Sequence, residues 1–162
     1  MALSMEQRLS APDRVKAALS AAGVAARIEE FPSSTRTAQD AATAVGSSVG
    51  QIVKSLVFLA GDAPVLALVS GANQLDTARL AGLTGAAIEK ADADAVREAT
   101  GYSIGGVPPT GFPEPIPTYI DRDLLQYDVV WAAAGTPRHV FRITPAELTR
   151  ITAGIIADLR RD

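Results

Sequence analysis

The chain has 162 residues, of which 48% are hydrophobic and 20% charged, with a formal net charge of -3 and no cysteine. This length predicts one domain, residues 1–162, around a single core. The absence of cysteine excludes a disulfide framework, and the acidic balance argues against a wide basic surface for long nucleic acids. No apolar run reaches the roughly 20 residues that cross a bilayer, and the N-terminus lacks a signal-peptide pattern. We therefore expect a cytoplasmic protein without a membrane partner.

The first half of the chain carries two helix signals before a central pair of strands. A serine cap, an early proline and a closing glycine predict a helix over residues 10–23, and "VAARIEEF" over 24–31 is typical of a strand. A threonine cap and a second glycine predict a short helix over 37–46, followed by a turn over 47–53. The apolar runs of "KSLVFLAGDAPVLALVSG" (54–71) flank a Gly-Asp pair and predict a mostly buried antiparallel hairpin.

The second half returns to helices and ends in further strands. Helices are predicted from residue 74 to Gly82 or Gly85 and over 92–101, with the short strand "AAIEKA" between them. After a glycine-proline loop, the segments "PTYID", "VVWAAAG" and "HVFRI" are typical of strands. The last segment, "TPAELTRITAGIIADL" (144–159), predicts a helix that starts with a capping box. Because this order lacks strict β-α-β alternation, it predicts an α+β fold with a mixed β-sheet packed with helices.

Several common catalytic chemistries lack their residues in this chain. His139 is the single histidine, which excludes a histidine metal cluster and a cysteine–histidine pair, and we expect it to be solvated or at a strand edge. No serine lies in a G-x-S-x-G elbow, which argues against a Ser-His-Asp hydrolase. The glycine loop matches neither a phosphate-binding P-loop nor a dinucleotide fingerprint. We therefore expect no metal and no cofactor.

One lysine and one loop remain as candidates for a site. Lys54 directly precedes a buried apolar run, where it can bind an anion or stabilise an oxyanion, or only end the strand and reach into water. In "GYSIGGVPPTG" (101–111), Gly105 and Gly106 permit positive φ and can direct backbone N–H groups at a ligand, while two prolines stiffen the exit. The loop can equally be a rigid connection, so position alone leaves both interpretations open.

Four segments, taken together, resemble one known family. They are "QIVKSLVF", "NQLDTARLA", "TGYSIGGVPPTG" and "PTYID". Each is weakly specific alone, but their order and spacing are similar to the YbaK/ProX family, free-standing relatives of the bacterial prolyl-tRNA synthetase editing domain. The resemblance covers nearly the whole chain. It implies a YbaK/prolyl-tRNA-editing-like domain that hydrolyses the ester of tRNA carrying a wrong, small amino acid.

The resemblance also implies roles for particular residues. Lys54 corresponds to the lysine that family members need for deacylation, and Gly105 and Gly106 correspond to loop glycines of the catalytic pocket. We expect a valine at either glycine to reduce hydrolysis more than stability. Substrate contacts are predicted at five further positions, namely Phe31, Ser70, Val107, Pro108 and Gly135.

The implied partner is the acceptor end of a mischarged tRNA, with an aminoacyl-tRNA synthetase as a second candidate. An aminoacyl ester is already activated, so a pocket that holds the carbonyl, offers N–H donors to the oxyanion and admits water needs no enzyme nucleophile. By resemblance, the terminal ribose hydroxyl of the tRNA assists that water, and Lys54 binds the terminal phosphate or backbone and orients the ester.

The chain departs from the family pattern at four positions. Some members have Tyr, Ser and Asp at or near the positions of Phe31, Pro108 and Val140, and related sequences often have His in place of Phe112. These changes leave the preferred amino acid open, because pocket shape and one or two hydrogen bonds decide such selectivity. A rival hypothesis is therefore a binding protein that keeps the pocket without the activity. A third is an assembly module with no small-ligand site.

Overall fold

The computed structural model describes residues 9–33, 35 and 37–162. The first eight residues, on which the expectation about a signal peptide partly rests, lie outside the described residues. Each described α-helix begins after a Ser, Thr or Asp whose side chain accepts a hydrogen bond from an N–H of the first turn. The helices are α1 (Ala11–Ala21), α2 (Ala38–Val45), α3 (Thr77–Thr84), α4 (Ala93–Thr100) and α5 (Pro145–Thr152).

The described strands form two sheets. They are β1 (Ile28–Glu30), β2 (Val53–Ala60), β3 (Ala63–Ser70), β4 (Ile88–Lys90), β5 (Thr118–Asp121), β6 (Val130–Ala133), β7 (His139–Ile143) and β8 (Ile155–Ala157). The smaller sheet is antiparallel, in the order β1-β7-β6. The larger sheet has the order β4-β2-β3-β5-β8, in which β4, β2 and β3 are antiparallel and β3, β5 and β8 are parallel. The predicted α+β fold with a mixed sheet is confirmed.

Strand β3 is central because both of its faces are buried. Leu66 and Leu68 belong to the main core, which also contains residues of α1, α4, α5 and the smaller sheet. Val65 and Val69 point to the opposite face and join a second cluster with α3. A strand covered on both faces reads as a continuous apolar run, which is why the hairpin was the clearest element in the sequence.

Three local predictions need correction. The first predicted strand is shorter than 24–31, since only Ile28–Glu30 pairs with β7. The closing helix ends at Thr152 instead of continuing to 159, because Ala153 adopts positive φ (51°) and the chain then forms β8 beside β5. A 3-10 turn at Arg122–Gln126, absent from the sequence prediction, follows β5. A second 3-10 turn, Val49–Gln51, lies in the predicted turn before β2.

The described helices are all too short or too polar to cross a membrane. Within the same residues, no group of three or more His, Cys, Asp or Glu side chains is arranged to hold a metal ion.

Candidate active site

A cavity of ≈ 390 Å³ opens where β2, β6, β7 and α2 meet the glycine-rich loop. Its walls are mainly apolar, with Val53 and Leu56 from β2, Trp131 from β6 and Ala41 from α2 among them. The polar side chains at the cavity include Thr35, Ser55, Thr136 and the two residues described next, Lys54 and His139. A concave, largely apolar space with a few polar groups is the usual form of a small-ligand site.

Lys54 reaches the cavity from the second position of β2. Its ammonium donates a hydrogen bond to the backbone carbonyl of Asn73, in the turn after β3. Partial burial lowers the pKa of Lys54 from the ordinary value of 10.5, and the nearby carboxylate of Asp121 opposes this effect. The sequence predicted that Lys54 either serves a site or ends the strand in water. The structure places it in the cavity wall, partly desolvated and held by a carbonyl.

A buried polar network lies behind Lys54. Asp121 is fully buried and accepts hydrogen bonds from the Ser70 N–H (3.0 Å), the Asn73 side-chain amide (2.9 Å) and the Asp123 N–H (3.0 Å). The Ser70 hydroxyl donates to the carbonyl of Gly50 at 2.7 Å. Ser70, a predicted substrate contact, does not line the cavity. It joins the end of β3 to the turn before β2 and to the carboxylate that faces Lys54.

The two loop glycines differ in their surroundings. Gly105 lines the cavity with φ of 90°, the positive value predicted for this loop. Gly106 lies behind it, because its N–H donates to the Ser103 carbonyl at 3.0 Å and its carbonyl accepts from the Gly135 N–H at 2.9 Å. The prediction that both glycines direct free N–H groups at a ligand is therefore wrong for Gly106, and only Gly105 remains a candidate donor.

Gly106 also packs too closely against the turn before β7 for any side chain. A Cβ atom at Gly106 would lie 2.6 Å from the Gly135 carbonyl oxygen and 2.6 Å from the Thr136 Cα. Gly135 itself has φ of 100°, and a Cβ there would lie 2.8 Å from the backbone of Ala11. Gly106 and Gly135 thus fix the loop to its neighbours. Neither lines the cavity, and neither does Pro108, which is buried.

His139 lines the cavity, which the sequence prediction missed. It is the first residue of β7, and β7 lies between β1 and β6, so of the two predicted alternatives the strand-edge position is wrong. Its side chain is 21% exposed and therefore only partly open to solvent. Its Nδ1 lies 2.5 Å from the Thr136 hydroxyl oxygen, and its Nε2 lies 3.8 Å from a Glu30 carboxylate oxygen. Its position directly after the Gly135 turn was the one available signal, since that turn was already predicted near the substrate.

The remaining predicted contacts, Phe31 and Val107, form part of the apolar wall, and so does Val140, a position at which the chain departs from the family pattern. Phe31, Val107 and Val140 line the cavity, and all three are buried. The Phe31 N–H donates to the Arg138 carbonyl at 2.7 Å, which extends the β1–β7 pairing by one residue and holds the ring at the cavity. Phe112 does not line the cavity and packs against the main core. The departures at Phe31 and Val140 therefore affect the cavity directly, whereas those at Pro108 and Phe112 do not.

Comparison with known proteins places this geometry in a family. Residues 32–151 match the family described as the aminoacyl-tRNA editing domain, and this segment contains Lys54, the glycine loop and His139. The chain belongs to the aminoacyl-tRNA editing domain family. The predicted resemblance to prolyl-tRNA editing domains is confirmed.

The relatives of this editing domain include free-standing proteins and parts of larger ones. YwhH of Bacillus subtilis (strain 168), an uncharacterized protein, is 31% identical over 126 residues, which are 77% of this chain and 80% of YwhH. The proline–tRNA ligase of Streptococcus sanguinis (strain SK36) is 28% identical over 126 residues, which are only 20% of that ligase. A solved structure of a proposed trans-editing enzyme for prolyl tRNA synthetase is 48% identical, with a TM-score of 0.91, and covers 99% of this chain and 100% of its own.

The site contains groups for binding and orientation more than groups for attack. It offers one ammonium, one imidazole, several hydroxyls and the backbone of the loop, in a mainly apolar space. The chain has no cysteine, and no described serine is hydrogen-bonded to His139. Such a site suits hydrolysis of an already activated ester by water, in which positioning and charge stabilisation supply the rate.

Proposed function

We propose that the protein is a trans-editing hydrolase that cleaves the ester of tRNA mischarged with a small amino acid. The observation that carries the proposal is the meeting of Lys54 and Gly105 in one cavity inside a shown aminoacyl-tRNA editing domain. The solved relative described as a proposed trans-editing enzyme supports action on tRNA that a separate synthetase has charged. The partner is then the acceptor end of that tRNA, and the prolyl synthetase is a candidate for recruitment. The predicted cytoplasmic location stays a prediction.

The mechanism assigns binding and orientation to Lys54. Its ammonium contacts the terminal phosphate or backbone of the tRNA and so fixes the ester relative to the loop. A hydrogen bond to the Asn73 carbonyl and electrostatic attraction to the Asp121 carboxylate keep the side chain in place before the substrate arrives. The lowered pKa of Lys54 agrees with a site that excludes part of the solvent, where an ion pair is stronger than in water.

The backbone of the glycine-rich loop stabilises the ester carbonyl of the substrate during hydrolysis. Among the described residues, no acceptor is hydrogen-bonded to the N–H of Gly105 or of Val107, and both residues line the cavity. These N–H groups can donate to the oxyanion that forms when water attacks the ester carbon. The electron pair of the cleaved bond passes to the ribose oxygen, which takes a proton as the free 3′ end leaves. The terminal ribose hydroxyl of the tRNA assists the attacking water.

The apolar wall of the cavity limits which amino acid side chains the site accepts. Phe31, Val107 and Val140 offer no hydrogen bond from their side chains to a polar substituent, so this part of the wall favours a small apolar side chain over a charged one. His139 and Thr136 supply the polar edge of the same space. The site therefore distinguishes amino acids by size first.

The test is a panel of tRNAs charged with alanine, serine, cysteine, threonine and proline, scored for ester loss with the purified protein. We expect hydrolysis of at least one small mischarged amino acid and little hydrolysis of the correctly charged tRNA. Tight binding of the charged tRNAs without any ester loss would favour the rival hypothesis of a binding protein. Neither binding nor hydrolysis would contradict both.

A further inference from the structure

Strand β2 is paired along its whole length on one side but only near its ends on the other. β3 pairs with every residue of β2. On the other side, β4 pairs only with Phe58–Ala60, and β6 contributes one isolated bridge, between Ile52 and Trp131. No described strand pairs with β2 on this side over residues 54–56. The centre of this gap is Ser55.

The backbone of Ser55 points into the gap. In an antiparallel ladder, successive residues direct their N–H and C=O groups to opposite sides. The Val57 carbonyl accepts from the Ala91 N–H at 3.4 Å, so Val57 presents its backbone to the β4 side. Ser55, two residues earlier, presents its N–H and C=O in the same direction. A strand edge of this kind is a template for another extended group.

The gap opens into two cavities. The larger is the site described above, and the smaller, of ≈ 150 Å³, is lined by Val57, Lys90 and Val96 among others. Both are lined by Ser55 and Leu56 of β2 and by Ile104, Gly105 and Val107 of the loop. The free edge at Ser55 therefore lies where the two cavities meet, within the predicted catalytic space.

The side chain of Ser55 is a second, independent observation. Its hydroxyl oxygen is buried and has no hydrogen-bond partner among the described residues. Buried hydroxyl groups in folded proteins nearly always have a partner, and one without a partner in a cavity wall indicates that a ligand or water supplies it. Ser55 thus offers three unused groups to a ligand: its N–H, its C=O and its hydroxyl.

We propose that the aminoacyl group of the substrate pairs with the edge of β2 as a single residue opposite Ser55. An aminoacyl ester carries an amino group and a carbonyl on either side of one Cα, as a residue in a strand does. The Ser55 N–H donates to the ester carbonyl oxygen, the substrate amino group donates to the Ser55 carbonyl, and the hydroxyl supplies one further hydrogen bond. The proposal rests on the deacylase function proposed above and names how that substrate is held.

The length of the gap selects this occupant. Only residues 53–56 lie between the β6 bridge at Ile52 and the first hydrogen bond on the β4 side, at the Val57 carbonyl. An added peptide strand or a second copy of the chain needs a longer free edge, whereas one aminoacyl group needs only the two backbone groups of Ser55. The arrangement also adds a strand amide to the loop N–H groups that face the carbonyl.

The test is amide hydrogen exchange by NMR with a stable ligand. The probe is 3′-aminoacylamino-3′-deoxyadenosine carrying the amino acid that the tRNA panel shows to be hydrolysed fastest, since its amide link resists hydrolysis. We expect the exchange of the Ser55 amide to slow by about tenfold on saturation, as for a new hydrogen bond to a buried site. The Leu59 amide is the internal control, because Leu59 already pairs with Glu89 of β4 and should not change.

A pair of variants tests the hydroxyl. Ser55→Ala should weaken binding of the probe by about tenfold without lowering the melting temperature, because the removed hydroxyl has no partner in the free protein. Ser20→Ala, on the exposed face of α1, is the matched control and should bind like the parent. A Ser55→Ala variant that loses stability and keeps its affinity would show that the hydroxyl serves the fold.

The outcomes separate this proposal from the proposed function. Hydrolysis in the tRNA panel, together with probe-induced shifts at Gly105 but an unchanged Ser55 amide, would overturn the strand-edge pairing and leave the deacylase intact. Absence of hydrolysis for every charged tRNA would overturn the function, and the pairing with it. Protection of the Ser55 amide that rises with protein concentration, without ligand, would show that a second chain occupies the edge instead.

Discussion

Lys54 reaches the cavity from the β2 wall through a long side chain, whereas the opposite loop wall reaches it through the backbone of Gly105. On the β2 wall, Lys54 donates a hydrogen bond to the Asn73 carbonyl, the Asn73 side chain donates to Asp121, and the chain direction is set by the hairpin. The loop wall is held by close backbone contact between Gly106 and Gly135. A side chain can be replaced without moving the backbone that carries it. On the loop wall, by contrast, Gly105 lines the cavity and the adjacent Gly106 packs against the fold, so a change in one moves the backbone of the other.

The largest expected effect is on the loop wall, from Gly106→Val. Its side chain would enter the backbone of Gly135 and Thr136, so we expect a loss of about 3 kcal/mol or more in the free energy of unfolding, measured by urea denaturation. This differs from the expectation based on sequence, which was that the substitution reduces hydrolysis more than it reduces stability. Gly82→Val, at an open position of α3, is the control and should change stability by less than about 1 kcal/mol. Parental stability of Gly106→Val would show that the contact does not hold the loop.

The β2 wall should show the opposite behaviour in Lys54→Ala. We expect kcat/KM for the mischarged tRNA to fall about a hundredfold or more, the scale for loss of an orienting charge, with little change in the melting temperature. Lys16→Ala, exposed on α1, is a matched loss of one positive charge and should retain activity. Parental activity of a folded Lys54→Ala variant would remove Lys54 from the site.

Gly105→Val separates strain from function within the loop. Its φ of 90° and a Pro137 side-chain atom 3.3 Å from the new Cβ predict a stability loss of about 1–3 kcal/mol, together with a fall in hydrolysis of about a hundredfold. Gly61→Val, at φ of 62° in the β2–β3 turn with no neighbour within 4 Å, should carry a similar strain without the loss of activity. Equal activity of the two variants would show that Gly105 does not serve the carbonyl.

A smaller effect is expected from pH, because burial lowers the pKa of Lys54 below 10.5. The positive charge is present well below the lowered pKa and is lost as the pH rises through it. Binding of a 5′-phosphorylated form of the stable aminoacyl analogue should therefore weaken about fivefold as the pH rises, the scale of one partly exposed ion pair. This weakening should occur at a lower pH than the pKa of a free lysine side chain would give. Lys54→Arg should bind without this alkaline decline, since arginine keeps its charge. An unchanged parent affinity up to pH 10.5 would contradict the assignment.

The smallest effect should come from metal removal. Neither wall belongs to a group of three or more described His, Cys, Asp or Glu side chains that could hold a metal ion. We expect EDTA to leave the rate of deacylation unchanged. A loss of activity that zinc restores would show that metal chemistry contributes to the reaction.

Local signals in the sequence were sufficient for most of the elements. The caps at Ser10, Thr37, Asp92 and Thr144 and the left-handed glycines that end α2, α3 and α4 act within one turn of the chain, so their effect needs no tertiary contact. The hairpin was equally readable, because both faces of β3 are apolar. Lys54 was found from its place before the apolar run and from the family motif that contains it.

Tertiary contacts decided the rest. The segment Ile155–Ala157 has a helix-like neighbourhood in sequence, but pairing with β5 makes it a strand. Gly105 and Gly106 are adjacent glycines that the sequence does not distinguish. The close approach of Gly135 packs Gly106 against the neighbouring turn and leaves Gly105 to line the cavity. His139 enters the site because β7 is central, and Ser55 acquires a free edge because β4 stops at Lys90. Each of these outcomes depends on which segment, distant in sequence, packs next to the residue in the folded chain. Local sequence signals carry no information about that spatial neighbour.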